Sequence, residues 1–291
     1  MLPFAIPYPP ELKVGFWGIP TSTIDWCEEN YVVSPYVAEA LNTVTNTGFI
    51  ALALFAIVQC VRNRLEKRLI LTACGFLLVG IGSWLFHMTL QYKYQLLDEL
   101  PMLYATCIPF WSVFSESRDR RGAFFVGLYL FLVVALLTGI YLWFQDPTIH
   151  QVAYAFLNIG LLARSFFLSR KYVKDQESLR QLNTTMGLGV VIFVLGFVLW
   201  NMDVHFCDYV RATRRGWGMP YGFILEGHGW WHLLTGLGVY YTLVYFELLR
   251  CWLCGRESFY TLKLYFLILP VLELTDPKGL ENHLKNPKKD Q

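Results

Sequence analysis

The sequence predicts an all-α integral membrane protein with seven transmembrane helices, a lumenal N-terminus and a cytoplasmic C-terminus. Composition, the spacing of apolar runs and the distribution of basic residues all point to this fold. Of the 291 residues, 55% are hydrophobic and only 16% are charged, whereas soluble domains usually carry about 25% charged residues. The 24 basic and 22 acidic residues nearly cancel, so the chain lacks the concentrated positive charge that nucleic-acid binding requires.

Apolar runs of about 20 residues recur between residues 37 and 250, and a helix of that length crosses a hydrocarbon core of about 30 Å. The seven runs are free of Lys and Arg except for Arg164 near one end. The predicted spans are Val37–Val61, Leu69–Leu90, Leu96–Phe114, Ala123–Phe144, Thr148–Leu168, Thr184–Met202 and Gly222–Leu249. The apolar stretch Phe259–Leu274 contains Lys263 and Pro270 and is too short to span, so we expect it on the membrane surface or against the bundle.

The basic residues set the orientation, because loops rich in Lys and Arg stay on the cytoplasmic side. Across the predicted spans these residues collect on one side of the membrane. The exceptions are Lys13, Lys93, Arg211, Arg214 and Arg215. Residues 1–36 are therefore predicted to be a lumenal segment, 37–250 the membrane domain and 251–291 a cytoplasmic tail, with the loop 211–215 as the one dissenting segment.

Ionisable residues inside a membrane are candidates for function, because an Asp at mid-helix costs about 2.5–3.5 kcal/mol on insertion scales. In this chain the polar residues within or next to the spans share one predicted depth, the lumenal ends of three spans. They are Ser83, His87, Asp98, Glu99, His228 and His232. The two carboxylates could also mark a helix start, where negative charge is favoured, and spacing alone does not separate Asp98 from Glu99.

The histidines have the spacing of a metal site. Residues four apart on a helix lie on one face, about 40° apart and about 6 Å along the axis, so His228 and His232 can point at one place. Three neutral imidazoles are a ligand set for catalytic zinc, which keeps a fourth position open for water, and His87 would complete the set. A histidine near a membrane interface also often bonds only a headgroup or a neighbouring helix, which is the alternative for each motif taken alone.

Oxygen-bearing side chains gather before the first predicted span. Asp25, Glu28, Glu29 and Asn30 are close together in the chain, and Glu39 follows. Calcium prefers six to eight oxygen ligands, so this acidic block resembles a shortened calcium loop, although it lacks the EF-hand pattern. The residues alone also allow a solvated acidic cap.

Taken together, these motifs resemble the alkaline ceramidases. The resemblance rests on S-x-x-x-H followed eleven residues later by D-E-x-P-M, on a late G-H-x-x-W-H, and on an early STIDWCEENYVVSPYVAE. It runs from about Gly15 to Arg250, with the three blocks in the family's order. It implies a seven-span zinc hydrolase that cleaves the amide bond of ceramide to a sphingoid base and a fatty acid.

Carried over position by position, the resemblance implies the residues of two metal sites and a catalytic pair. The implied residues are the zinc ligands His87, His228 and His232, the catalytic Ser83 and Asp98, and the calcium ligands Asp25, Glu28, Asn30 and Glu39 with the carbonyl of Trp26. Zinc can lower the pKa of water to about 7 and polarise a carbonyl. We expect Asp98 to accept the proton of the attacking water and pass it to the leaving amine, and Ser83 to donate to the developing oxyanion.

Smaller features extend the resemblance. Cys27 and Cys207 are the two cysteines predicted to face the lumen, where oxidising conditions favour pairing. The resemblance supports a bridge between them, and two free buried thiols are the alternative.

Trp231, beside the ligands, could line the pocket for the lipid chains or belong to an interfacial belt. The last residues, K-K-D-Q at 288–291, resemble a retrieval tail, which predicts the endoplasmic reticulum membrane, with the Golgi as a second location; a merely solvated tail is the alternative.

Two other functions share the predicted seven-span architecture. A seven-span receptor would not need two histidine motifs and an aspartate at one level, and the short loops and tail offer little for a cytoplasmic partner. A metal transporter would place ligands at mid-span or along a path rather than near one face. Ceramide within the membrane is the predicted partner, and tightly held zinc with lipid amidase activity would distinguish the hydrolase from both alternatives.

Overall fold

A computed structural model of the chain describes residues 1–285, and these residues form nine α-helices and one two-stranded antiparallel sheet. The elements are α1 (Ala40–Arg62), α2 (Lys67–Thr89), α3 (Tyr92–Phe114), α4 (Arg120–Phe144), α5 (Pro147–Tyr172), α6 (Gln176–His205), α7 (Cys207–Trp217), α8 (Gly227–Leu253), β1 (Tyr260–Tyr265), β2 (Leu269–Leu274) and α9 (Pro277–Lys285). The predicted retrieval tail at 288–291 lies outside the described residues.

Five helices are long and apolar enough to cross a membrane: α1, α2, α4, α5 and α6. The prediction of a mostly helical membrane protein is therefore confirmed, and five of its seven spans are supported by length and composition. Helices α3 and α8 are as long, at 23 and 27 residues. They are also the two long helices on which Asp98, Glu99, His228 and His232 lie, and these polar residues lower their hydropathy.

Helix α8 forms the centre of the bundle and packs against α6, α1 and α2. Its approach to α6 is close enough to require glycine, because a Cβ on Gly238 would lie 2.8 Å from the carbonyl oxygen of Gly189. Helices α2 and α3 approach as closely, since a Cβ on Gly82 would lie 2.1 Å from the carbonyl oxygen of Leu97. Small residues at such crossings let membrane helices pack backbone to backbone, and the second crossing brings the residues after Gly82 and Leu97 together.

The basic segment 211–215, which is the exception to the predicted charge distribution, is helical rather than a loop. Its charges are neutralised within the protein. It forms α7, in which Arg211 Nε donates to the carbonyl of Cys27 at 2.8 Å and Arg215 Nε to Glu29 Oε1 at 2.8 Å. Arg214 is fully buried and pairs with Glu226. Acidic and carbonyl oxygens of the protein surround these arginines. Their charge is therefore no argument against a lumenal location under the rule that basic loops stay cytoplasmic.

The predicted bridge between Cys27 and Cys207 is confirmed, with the two Cα atoms 5.4 Å apart. It joins the acidic block to the first residue of α7, across a sequence separation of 180 residues. The same two segments are linked by Arg214 Nη2, which donates to the carbonyl of Cys27 at 2.7 Å. The N-terminal segment is thereby fixed over one end of the bundle, called the histidine end below because His87 and His228 lie there.

The all-helical prediction is wrong for the C-terminal apolar stretch. Its residues form the hairpin β1–β2, with Tyr260 paired to Leu274 and Tyr265 to Leu269. Pro270 would interrupt a helix here, since proline lacks the backbone donor and clashes with the preceding turn. Strand β2 contacts α8 and α1. The stretch therefore lies against the bundle, which was one of the two predicted locations.

At the end of the bundle opposite the histidines, Glu66 in the turn between α1 and α2 gathers three arginines. It accepts from Arg68 Nε at 2.9 Å, Arg250 Nε at 3.1 Å and Arg256 Nη1 at 3.1 Å. Burial acts to raise the pKa of Glu66, but the charges of Arg250 and Arg68 outweigh it and hold the pKa below its usual value. The cluster therefore joins the α1–α2 turn to the end of α8.

We expect Glu66→Gln to lower the free energy of unfolding at pH 7 by about 2 kcal/mol, the range for hydrogen bonds to charged groups. Because the pKa of Glu66 is lowered by folding, its contribution is present above the unfolded pKa and is lost as the pH falls through the folded value. The difference in melting temperature from wild type should therefore shrink below about pH 4.

The matched control for this prediction is Glu281→Gln. The Glu281 ion pair with Arg64 is half exposed, so its loss should cost less than about 1 kcal/mol. Melting curves of detergent-purified protein would make the comparison. Equal melting temperatures for Glu66→Gln and wild type at pH 7 would contradict a stabilising role for the cluster.

Candidate metal centre

Three histidines from two helices converge at the histidine end. His87 lies near the end of α2, and His228 and His232 lie in the first turns of α8. Their ring centroids are 4.7–4.9 Å apart, and all three side chains are buried. Their ligand atoms lie within 4.8 Å of one another, and among residues 1–285 they are the group of His, Cys, Asp and Glu side chains that could hold a metal ion. The structure thus brings together the three histidines singled out from the sequence.

Two of these imidazoles are held by residues of α1 and its N-cap. Nδ1 of His87 contacts a carboxylate oxygen of Glu39, and Nδ1 of His232 lies 3.0 Å from Thr45 Oγ1 and 3.3 Å from Asn46 Nδ2. In each case Nε2 is the nitrogen left for a metal. Partners of this kind fix the tautomer and orientation of metal-binding histidines.

The third imidazole has an unsatisfied nitrogen. His228 Nδ1 is buried without a hydrogen-bond partner among the described residues, and an unpaired polar atom in such a place is costly. A metal held by the three histidines fits this cluster, because imidazole ligands and the engaged Nδ1 atoms of His87 and His232 are features of catalytic metal sites.

Ser83 is linked to the histidines through Asn46, whose Nδ2 lies 3.0 Å from Ser83 Oγ and 3.3 Å from His232 Nδ1. The backbone of Asp98 lies at the close α2–α3 crossing next to Ser83, because a Cβ on Gly82 would come within 2.8 Å of the Asp98 amide nitrogen. Glu99 instead contacts the hydroxyl of Tyr141 on α4. The two carboxylates that spacing left equivalent therefore have different surroundings, since Glu99 contacts Tyr141 whereas the Asp98 backbone lies at the α2–α3 crossing beside Gly82.

The acidic block lies directly on this cluster. Glu28 accepts two backbone hydrogen bonds from the first turn of α1, at 2.7 and 2.8 Å, and Asn30 Nδ2 donates to Asp25 Oδ1 at 3.2 Å. Burial raises the pKa of Glu28 to about 8, and the charge of Glu39 acts in the same direction. Asn30 Oδ1 and Glu39 Oε1 are buried oxygens without partners among the described residues, whereas Asp25 lies at the exposed rim.

This donor set is compatible with a hard cation, since it combines carboxylate and amide oxygens that lack other partners. Its carboxylates do not gather as closely as the histidine nitrogens do. Two of its residues contact the histidine cluster: Glu39 contacts His87, and the indole of Trp26 packs against the imidazole of His228 with centroids 4.5 Å apart. The carbonyl of Trp26 accepts from Arg211 Nη2 at 3.3 Å.

An aromatic wall borders the histidines between α6 and α8. Trp231 packs against Phe193, Phe197 and Trp200 of α6, with centroids 5.3–6.1 Å apart. Its neighbour Trp230 is 41% exposed. Trp231 is therefore part of the helix interface next to the site, whereas Trp230 faces outward as a belt residue would.

Sequence reasoning missed four residues that position the site. Thr45 and Asn46 hold His232, and Asn42 Nδ2 donates to Glu39 Oε2 at 3.2 Å. These three share a face of α1 at helical spacing, and polar residues at that spacing within an apolar span were a signal that could have found them. Asp203 Oδ1 accepts from the Gly227 backbone amide at 3.3 Å and so caps the start of α8; no spacing in the sequence connects these two residues.

Comparison with known proteins gives one consistent match. Residues 18–273 match the sequence model of the family described as Ceramidase. Alkaline ceramidase YPC1 of Saccharomyces cerevisiae is 43% identical over 256 residues, which cover 84% of this chain and 81% of that protein. Alkaline ceramidase 3 of Mus musculus is 43% identical over 234 residues, covering 80% and 85%. An alkaline ceramidase of Arabidopsis thaliana is 27% identical over 264 residues, covering 91% and 97%.

The contact between Glu39 and His87 predicts an effect on metal affinity. In calcium-free buffer, Glu39→Gln should weaken metal binding by about 10–100-fold, the usual result of removing a partner that orients a ligand. Titration of zinc into metal-free protein in competition with a chromophoric chelator would measure it. Glu247→Gln is the control, because this buried carboxyl on α8 bonds Cys60 instead and should leave affinity unchanged. Wild-type affinity in Glu39→Gln would refute the orienting role.

Proposed function

The chain belongs to the alkaline ceramidase family, and we propose that it hydrolyses the amide bond of ceramide to a sphingoid base and a free fatty acid, with zinc as its cofactor. The observation that carries the proposal is the buried cluster of three histidines, to which Ser83 is linked through Asn46. A buried cluster near one end of the bundle does not favour the receptor or the metal transporter, and the family match supports neither.

In this proposal His87, His228 and His232 hold the zinc ion. When bound, zinc supplies an acidified water molecule and polarises the amide carbonyl. The support is the ligand type, the burial and the engaged Nδ1 atoms of His87 and His232. The fourth position is left for water and substrate, as in catalytic rather than structural sites.

Asp98 is the proposed general base and acid. It takes the proton of the attacking water as oxygen bonds to the carbonyl carbon, and it returns a proton to the nitrogen as the C–N bond breaks. The amine then leaves and the fatty acid remains, still carrying the second proton of the water. The support for this role is that Asp98 lies on α3 where it crosses α2 at Gly82, the residue before Ser83.

Ser83 is the proposed donor to the oxyanion. Because Asn46 Nδ2 donates to Ser83 Oγ, the serine hydroxyl hydrogen is left free to donate in another direction. The carbonyl oxygen of a substrate would receive it as negative charge develops there. The wall formed by Trp231 and the α6 aromatics would contact the lipid chains.

The proposed catalytic pair predicts a sharp contrast between neighbouring carboxylates. Asp98→Asn should lower kcat by about 10²–10⁴-fold, the range for a general acid–base, while retaining zinc. His232→Ala should lose both zinc and activity. Release of fatty acid from ceramide by detergent-purified protein, together with metal analysis, would measure these effects.

Glu99→Gln is the matched control for Asp98→Asn. It changes the adjacent carboxylate, which contacts Tyr141 rather than the histidines, and should keep activity within a few-fold of wild type. Wild-type turnover in either Asp98→Asn or His232→Ala would eliminate the mechanism. A panel of ceramides would also identify the preferred acyl chain.

We further propose that the acidic block binds calcium. The ligands would be Asp25, Glu28, Asn30, Glu39 and the Trp26 carbonyl. The support is the pair of unpartnered buried oxygens and the concentrated negative charge around Glu28. Calcium would offset the entropy of ordering the N-terminal segment, about 1–2 kcal/mol per fixed backbone residue, without taking part in the chemistry.

Because Glu39 belongs to the acidic block and also contacts His87, the two metals should be coupled. Zinc occupancy should tighten calcium binding, and the coupling should be reciprocal, on the order of the 5–150-fold range usual for linked sites. Calcium titrations on zinc-loaded and zinc-stripped protein would measure it. Identical calcium affinities would show that calcium stabilises only the N-terminal segment and is not coupled to zinc.

Seven spans with a lumenal N-terminus remain our proposed topology. Helices α3 and α8 are long enough to span, and the neutralised arginines of α7 remove the main exception to the charge rule. The proposed divisions are the lumenal segment 1–36, the membrane domain 37–250 and the cytoplasmic tail 251–291. Residence in the endoplasmic reticulum or Golgi rests on residues 288–291, and imaging with Lys288 and Lys289 changed to Ser would decide it.

A further inference from the structure

The β1–β2 hairpin turns back along the bundle after α8 ends. Its base lies at the end of α1, where Asn63 Oδ1 accepts from the Leu274 backbone amide at 3.0 Å and the Asn63 carbonyl accepts from Tyr260 Oη at 3.1 Å. Its turn lies beside Phe55, whose ring centroid is 6.3 Å from that of Tyr265 and 6.4 Å from that of Phe266. The hairpin therefore runs from the end of α1 toward the middle of the bundle.

The depth of the turn follows from helix geometry. Phe55 precedes the last residue of α1 by seven residues, which is about 10 Å along the axis, and α1 is one of the helices able to cross a membrane. Half of a hydrocarbon core is about 15 Å. A turn at the level of Phe55 would therefore lie below the headgroups, within the acyl chains of one leaflet.

The turn exposes large apolar side chains at that depth. Phe266, Leu267 and Ile268 are 77%, 89% and 57% exposed, and Leu264 is 64% exposed. In water such a cluster on a tight turn would be unfavourable, because turns in water favour small and polar residues. In acyl chains it is the expected composition.

Several backbone groups next to the turn are hydrogen-bonded within the protein, which lowers the cost of placing the segment in lipid. The Ile268 backbone amide donates to the Tyr265 carbonyl at 3.2 Å. Two hydroxyls of α8 cap the carbonyls that follow: Tyr241 Oη donates to Ile268 at 2.6 Å, and Tyr240 Oη to Pro270 at 2.7 Å. Pro270 has no amide hydrogen to satisfy.

The one charged pair on the strands is also internally satisfied. Lys263 Nζ lies 2.6 Å from Glu273 Oε2 on the neighbouring strand. Charges near a membrane are tolerated when they pair with each other, and this pair lies between the base and the turn.

We propose that the hairpin 260–274 is a re-entrant membrane element whose turn, Phe266–Ile268, binds phospholipid acyl chains of the leaflet opposite the histidine end. In the proposed orientation this is the cytoplasmic leaflet. The hairpin would then anchor the chain after α8 and cover the α1–α8 junction from the lipid side. The proposal does not depend on the enzymatic activity.

A nitroxide on Leu267→Cys in lipid nanodiscs would test this, in a background with Cys74, Cys107 and Cys254 changed to Ala. The label should collide with oxygen several-fold more often than with a water-soluble nickel chelate. The control is a label on Lys278→Cys, an exposed position on α9, where the ratio should be reversed.

Two outcomes would overturn the proposal. A nickel collision rate at residue 267 equal to that at 278 would place the turn in water. Spin–spin broadening between Leu267→Cys labels would show a second copy of the chain on this surface instead of lipid. Because leucine is replaced by a label of similar polarity, either outcome can be read on a folded protein, whose fold is checked by its wild-type melting temperature.

Discussion

The contact between Glu39 and His87 is the interaction on which the site depends most directly. Glu39 is fully buried at the N-cap of α1, and His87 is in the last turns of α2. An unpaired carboxylate in that position would be strongly unfavourable, and so would an imidazole free to rotate. Each therefore requires the other, and their contact fixes where the N-terminal segment meets the bundle. Glu28, Trp26 and the Cys27–Cys207 bridge follow from that placement, because all belong to the same short segment.

The same constraint operates throughout the molecule. A protein in a membrane must satisfy its polar groups internally, since lipid offers no partners. Arg214 and Glu226 meet this condition together at the histidine end, and Glu66 with its three arginines meets it at the other end. Tyr240 and Tyr241 do so for the hairpin carbonyls. Polar residues of this chain thus act as connectors between elements as well as candidate functional groups.

How much the sequence could predict depends on the range of the interaction. Helices followed from apolar runs, and the convergence of His228 with His232 followed from spacing along one helix. The roles of Asp98 and Glu99 could not be separated, because adjacent residues point about 100° apart and only the packing of Gly82 against Leu97 decides which side faces α2. The hairpin was missed because a short apolar run does not distinguish strand from helix. The neutralisation of the α7 arginines was missed because Arg211 and Arg215 contact residues 184 and 186 positions away in the chain.

The two long helices outside the group of apolar spans, α3 and α8, carry Asp98, His228 and His232, while Ser83 and His87 lie on the apolar span α2. Their polar residues reduce the free energy of insertion that an isolated helix would gain, so neither is well suited to face lipid. The fold resolves this by position. Helix α8 is surrounded by α1, α2 and α6, and α3 packs along α2 with α4 and α5 on its other side. The strongly apolar α4 lies outermost, with exposed aromatic side chains such as Phe131 and Trp143. Apolar helices thus pack around the polar ones, and the two histidines of α8 are buried within the bundle.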